Sequence, residues 1–204
     1  MISRAPATST RMPAEARREQ LLDVAKAIVI QRGFHAVSIE GVAREAGISR
    51  PIVYGHFHDL EGLLDALVSR EGARALGQLA EVLPAALAHS DPVERLAAAL
   101  GGYLEAVRAD PATWRLVLVP HEGAPRALHE AITRGRAAVV DQLAGALRDG
   151  DRGMDAPDPE LAAHLLSGLA DEAARLLLAD PGRYPPERVL ALARWFLARM
   201  VPPV

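Results

Sequence analysis

Apolar residues recur at helical spacing along most of this chain, and no stretch shows the strict alternation of a strand. Leu21, Leu22, Ala25, Ile28 and Val29 make one face of a first helix expected over Pro13–Arg32. Gly33 ends that helix, and Phe34 is placed to fold apolar contact back across the cap. Ile39, Val42, Ala43 and Ala46 mark a short second helix, with Ser38 ahead of it to accept a bond from an orphan backbone N–H. Gly47 follows, where a chain leaving a helix often needs positive φ, and Ile48 offers an apolar plug for the turn. Ser49, as a second N-cap, and Pro51 open a third helix. The missing N–H of Pro51 costs nothing there, because first-turn N–H groups lack intrahelical partners. Val53 and Phe57 lie four apart and face inward, which leaves Arg50, Ile52, Tyr54 and His56 to point elsewhere.

The remaining pattern is also helical. Asp59 caps a fourth helix whose periodicity is carried by Leu60, Leu63, Leu64, Leu67 and Val68, and which is expected to run to Leu83–Pro84. Asp91-Pro92 opens the next, to Ala109, with Leu96, Leu100, Tyr103, Leu104 and Val107 inward. Asp110-Pro111 caps a short helix ending at Pro120. Pro125 to Arg148 reads as a long helix with Leu128, Ile132, Val139, Leu143 and Leu147 on its apolar side. An acidic Gly/Pro loop, Asp149 to Pro159, precedes two last helices, Glu160–Ala179 and Pro186–Val201. The fold class is therefore all-α, behind a solvated tail over residues 1–12.

Two short helices joined by a Gly-containing turn form a helix-turn-helix, whose second helix would enter the DNA major groove with its leading residues near base edges. An ordinary core hairpin is the alternative, but two caps, a turn glycine and a polar leading face favour DNA. The overall charge of −3 argues against nucleic acid until it is divided. Residues 1–58 hold eight Lys/Arg against five Asp/Glu, so a basic head precedes an acidic body. Cysteine is absent, which excludes disulfides and thiolate metal sites. No long apolar run suggests a signal peptide or a membrane span, so the chain reads as soluble and cytoplasmic.

Arg17 to Leu64 resembles the N-terminal domain of the TetR (tetracycline repressor-like) family of bacterial transcriptional regulators. The resemblance is carried by Arg-Arg-Glu-Gln-Leu-Leu-Asp-Val-Ala (17–25), Arg-Gly-Phe-His-Ala-Val-Ser-Ile (32–39), Val-Ala-Arg-Glu-Ala-Gly-Ile-Ser (42–49) and Val-Tyr-Gly-His-Phe (53–57). It implies a helix-turn-helix domain over 13–58 and a larger helical effector-binding and dimerisation domain over 59–204. It also implies double-stranded operator DNA with palindromic half-sites, a small-molecule effector that releases the DNA, a homodimer and repression. A lysine often found near the start of the family's fourth helix touches a phosphate; Leu60 stands near that place here.

Roles within the reading segment follow from side-chain chemistry. Arg50 matches guanine O6/N7, and Pro51 and Ile52 suit a thymine methyl. Ser38, Arg44, Ser49, Tyr54 and His56 suit phosphates. In the middle helices Tyr103, Trp114, Leu118, His121, Leu128 and Ile132 mix apolar, aromatic and a few polar groups, as a pocket for a mostly apolar effector requires. A plain packed core would read the same way. Arg115, Arg126 or Arg175 could pair with an effector carboxylate, but surface solvation is the default for each. On the last two helices, Leu161, Leu165, Gly168, Glu172 and Leu176 form one stripe. Val189, Leu192, Phe196 and Met200 form another, beside Trp195. These faces could simply complete the monomer core, but a two-fold dimer that buries both is favoured, since one recognition helix offers too little specificity. His121-Glu122 and His129-Glu130 lack zinc-site spacing, so neither a metal nor a cofactor is expected, and no catalytic arrangement is visible. An effector-independent or architectural DNA binder, and an all-α protein in which the motif is incidental, are the competing functions.

Overall fold

A computed structural model describes residues 12–119, 124, 126–148 and 156–200. The N-terminal tail to Arg11, His121-Glu122 and most of the acidic loop after Arg148 lie outside the described residues. Within them the regular structure is helical: α1 (Ala14–Arg32), α2 (Ile39–Glu45), α3 (Arg50–Phe57), α4 (Leu60–Leu87), α5 (Pro92–Ala109), α6 (Pro111–Leu118), α7 (Arg126–Arg148), α8 (Pro159–Ala179) and α9 (Pro186–Met200). A single 3-10 turn, Phe34–Ala36, joins α1 to α2. The chain forms two compact units that divide at Leu67–Val68, inside α4.

In the first unit the periodic residues are the buried ones. Leu21, Leu22, Ala25, Ile28 and Val29 of α1 are at most 3% exposed, and Val42 and Val53 are fully buried. Each such Leu, Ile or Val contributes about 1.5–3 kcal/mol by leaving water. The turn between α2 and α3 is a Schellman motif. The Ile48 N–H donates to the Ala43 carbonyl at 3.0 Å and the Gly47 N–H to Arg44 at 3.2 Å. Gly47 sits at φ 67°, a left-handed value that costs glycine nothing.

A tighter turn closes α3. His58 has φ 67° and ψ −51°, and the Asp59 N–H donates to the Phe57 carbonyl at 2.8 Å, which is the strained γ-turn geometry. Asp59 then caps α4 by accepting from the Gly62 N–H at 2.7 Å. A Cβ at Gly62 would lie 2.3 Å from the Phe57 carbonyl oxygen, so this turn of α4 fits under α3 only with glycine there.

In the second unit Ala75, Tyr103, Leu104, Val107, Trp114, Leu118, Ala174, Leu177 and Leu178 form one apolar core. Val140, Ala144, Leu147 and Ala163 form another between α7 and α8. Of the expected α7 face Leu128 and Leu147 are buried, while between them the inner positions fall one residue later. Val140 and Ala144 are buried, whereas Val139 and Leu143 only flank them. Adjacent valines leave the register open to periodicity, and small Ala144 permits close contact with Ala163. Leu96 and Leu100 are likewise half-buried, with Ala97 taking the inner position on α5.

Helix α4 passes Pro84 and ends at Leu87 instead of stopping at the proline. Pro84 withholds one N–H from the Ala80 carbonyl, and Ala80 is an exposed residue, where an unpaired carbonyl is least costly. On α5, a Cβ at Gly102 would meet the Val82 side chain at 2.8 Å, so α4 and α5 approach through the missing side chain. Glu71 and Thr113, both fully buried, meet with the Thr113 hydroxyl 2.6 Å from the Glu71 carboxylate. Arg70 donates to the other carboxylate oxygen of Glu71 at 2.7 and 2.9 Å, satisfying a buried charge that would otherwise be costly.

Candidate nucleic-acid interface

Helix α3 divides into an inner and an outer face. Val53 and Phe57 anchor it, while Arg50, Pro51, Ile52 and Tyr54 are exposed, Ile52 and Tyr54 by 44% and 50%. His56 is half-buried. The Arg18 guanidinium stacks over the Phe57 ring at 5.0 Å, bracing the far end of the helix from α1. Ser38 caps α2, accepting from the Gly41 N–H at 3.0 Å.

Ser49 differs from expectation: it holds the N-cap position of α3, but its side chain makes no cap bond. The next residues explain it. Pro51 has no N–H to offer, and the Ile52 N–H is taken by the Ser49 carbonyl at 3.0 Å. The exposed hydroxyl is thus not committed to capping. Arg44 is also exposed, on the outer side of α2.

One residue of this face went unnoticed in the sequence. The Glu40 carboxylate lies 3.9 Å from the Arg50 guanidinium, and both side chains are largely in solvent. The available signal was positional: each stands in the first turn of its helix, and a helix-turn-helix brings such turns close.

The residues expected to line an effector pocket are partly assembled. Tyr103, Trp114 and Leu118 meet in the main apolar core, with the Tyr103 and Trp114 rings edge-to-face at 5.1 Å. Leu128 is buried on α7 outside that core, and Ile132 is half-buried. Polar groups reach the core at its edges. The Trp114 indole N–H donates to the Gln78 side-chain oxygen at 2.7 Å, and the Gln78 amide donates to Asp110 at 3.2 Å. Asp110 also pairs with Arg74 at 2.7 Å. The Tyr103 hydroxyl donates to Asp171 at 3.1 Å, and Asp171 pairs in turn with Arg136. Burial pushes the Tyr103 phenol far above its ordinary range; the Asp171 charge and hydrogen bond add to this against the opposing arginines. The three arginines that could meet an effector carboxylate have partners within the chain. Arg115 donates to the Leu178 carbonyl, Arg126 pairs with Glu130 and Arg175 with Glu172.

The stripes on α8 and α9 lie open. Leu161, Leu165, Leu192, Trp195 and Phe196 are each at least half exposed, Gly168 and Glu172 are exposed, and Leu176 is half-buried. Leu169, at 63% exposure, belongs to the same surface one turn beyond Leu165, a place the spacing already offered. Val189 instead packs against the main core. Among the described residues no cluster of His, Asp and Glu suits a metal ion, and no helix is long and apolar enough to cross a membrane.

Residues 21–67 match the family model for bacterial regulatory proteins of the tetR family, and residues 92–201 match that for the tetracyclin repressor-like C-terminal domain. The chain is 30% identical over 107 residues to the HTH-type transcriptional activator FasR of Mycolicibacterium smegmatis, a match covering 52% of this chain and 48% of that protein. It thus spans about half the length of that curated relative. A TetR-like transcriptional regulator from Rhodococcus sp. RHA1 superposes with a TM-score of 0.70 at 27% identity, covering 92% of this chain and 99% of that one. The SmeT–triclosan complex superposes with a TM-score of 0.69 at 25% identity, covering 91% of each chain. With both family models matched and the second spanning more than half of its length, the chain belongs to the TetR family of bacterial regulatory proteins.

Proposed function

We propose that this chain is a homodimeric, sequence-specific DNA-binding regulator that represses transcription until a small, mostly apolar effector releases it from paired operator half-sites. The observation that carries the DNA reading is the division of α3, with Val53 and Phe57 anchored and Arg50, Pro51, Ile52 and Tyr54 presented outward. Residues 13–58 hold the reading function in this proposal, and 59–204 the effector and dimer functions. Arg50 reads a guanine edge, Pro51 and Ile52 touch a thymine methyl, and Ser38, Arg44, Ser49, Tyr54 and His56 grip phosphates and fix register.

The effector reading rests on Tyr103, Trp114 and Leu118 sharing one apolar core, with Asp171 and Gln78 as polar partners at its rim. SmeT with triclosan is a structural relative holding a small, largely apolar molecule, which supports the same class here. The exposed apolar residues of α8 and α9 support a second copy of the chain as the partner that covers them. FasR, described as an activator, favours activation as the second reading of the regulatory sign.

The deciding experiment selects duplexes from a random pool with the full-length protein and then titrates single base-pair variants of the winner. Tyr54→Phe should weaken all variants by a similar factor. Arg50→Ala should cost the preferred site about 1–3 kcal/mol and relax preference at one base pair per half-site. A pool that yields no preferred sequence sinks the reading, and an unchanged ranking for Arg50→Ala removes the base-reading role of Arg50. Effector release requires reciprocity: a ligand that weakens operator binding must itself bind more weakly when operator is present.

A further inference from the structure

We propose that Glu40 and Arg50 act together as one donor–acceptor pair that reads a single G·C base pair, Arg50 donating to the guanine and Glu40 accepting from its cytosine. The inference rests on the DNA-binding reading above and adds to it a residue and a base identity. A carboxylate on a surface meant for a polyanion repels phosphates, so its position there asks for a compensating role. Glu40 stands in the first turn of α2, where helix-end partial charge favours an acid. That accounts for its tolerance within the protein but not for the side chain 3.9 Å from it, which is Arg50 at the leading end of the recognition helix.

The two exposed side chains, 64% and 72% accessible, gain little from each other in water, which screens their charges. The pair is therefore available to a third party. The major-groove edge of a G·C pair presents two acceptors, guanine N7 and O6, followed by one donor, the cytosine N4 amino group. Arginine beside carboxylate presents the complementary order of donors and acceptor. Arg50 alone also has the option of turning to a phosphate. With Glu40 alongside, the guanidinium is drawn to the base edge and the carboxylate finds its own partner there. An A·T pair sets its N6 amino donor against Arg50 and the thymine O4 acceptor against Glu40, and a T·A pair puts a methyl where Arg50 would meet guanine N7; an unmatched polar group in an interface is costly.

The test uses the full-length protein and the operator selected above. Glu40→Ala should tighten binding to non-preferred duplexes, because a negative charge has gone, while the preference for G·C at the Arg50 position falls about fivefold or more. Arg50→Ala should relax the same base pair, and the double variant should relax it no further than either single one. Replacing that cytosine by N4-methylcytosine, which fills the amino edge, should weaken the wild-type protein and leave Glu40→Ala nearly unaffected. Glu40→Ala that strengthens every duplex by one factor with the ranking intact overturns the proposal while leaving the regulator reading in place. Equal sensitivity of wild type and Glu40→Ala to the methylated base does the same. A preferred site without G·C at that position, or an Arg50→Ala ranking that does not change, overturns it as well. A pool with no preferred sequence overturns both this proposal and the DNA-binding reading.

Discussion

The indole N–H of Trp114 on α6 donates to the side-chain oxygen of Gln78 on α4 across 2.7 Å, joining residues 36 positions apart in the chain. Trp114 is almost wholly buried, so this is the bond that keeps a core donor satisfied. Gln78→Leu removes the acceptor and leaves the donor in apolar surroundings, which should cost about 1–3 kcal/mol of stability. In a Trp114→Phe background the same change should cost clearly less, because no donor remains to orphan. Urea unfolding of the four proteins measures the difference, and equal costs in both backgrounds would show the bond to be inconsequential.

The γ-turn at His58 stores strain that can be relieved. His58→Gly should stabilise the first unit by about 1 kcal/mol, relief of the positive φ outweighing the extra freedom of glycine in the unfolded chain. Gly62→Ala should act oppositely and lower stability by about 1–3 kcal/mol, since its methyl would press on the Phe57 carbonyl rather than on a movable side chain. Thermal melting ranks the two against wild type, and the reverse order would remove the steric account of this turn.

Phe196→Asp tests the proposed α8–α9 association. The wild type should sediment as a dimer. The variant should dissociate at concentrations where wild type does not, by about 3 kcal/mol or more if the carboxylate is forced against apolar neighbours. Its fold should persist, because Phe196 is half exposed within one chain and its loss opens no core. A wild type that sediments as a monomer ends the dimer reading.

Tyr103 supplies a pH test with a definite sign. Its phenol is raised by burial and by Asp171, so the native state keeps the proton above pH ~10, where an unfolded tyrosine releases it. The native state then binds more protons than the unfolded state, and stability falls as pH rises past that point. The stability difference between wild type and Tyr103→Phe should therefore be level below about pH 10 and should shift against wild type above it. A difference that stays flat through pH 11 would mean that the phenol ionises in the folded protein.

What could be read from residue order was the part of the structure made by near neighbours. The α1, α2 and α3 faces followed from apolar spacing because their partners lie within a few turns of chain, and Ser38, Asp59, Asp91 and Asp110 cap where polar side chains precede apolar runs. The misreadings share another origin. Val139 and Val140 are equivalent to a period-based reading, and only the shape of α8 selects Val140. Pro84 reads as a stop, yet α4 continues past it, with the residue one turn earlier, Ala80, exposed. Glu40 beside Arg50, Gln78 beside Trp114 and Asp171 beside Tyr103 join separate helices, and no local pattern announces such meetings. Leu169 is the exception: its spacing from Leu165 was in plain view.

The close passage of Val82 over Gly102 bears on how this protein can drift over generations. The two positions constrain each other: a side chain at 102 collides with the Cβ of Val82, the part of the valine that no rotamer change can move. Alanine at 102 becomes tolerable only after 82 has shrunk, and a shrunken 82 beside glycine leaves a gap that weakens the contact. The two sites should therefore vary as a pair across descendants of this chain, with the smaller member of the pair switching helices through an intermediate of reduced stability.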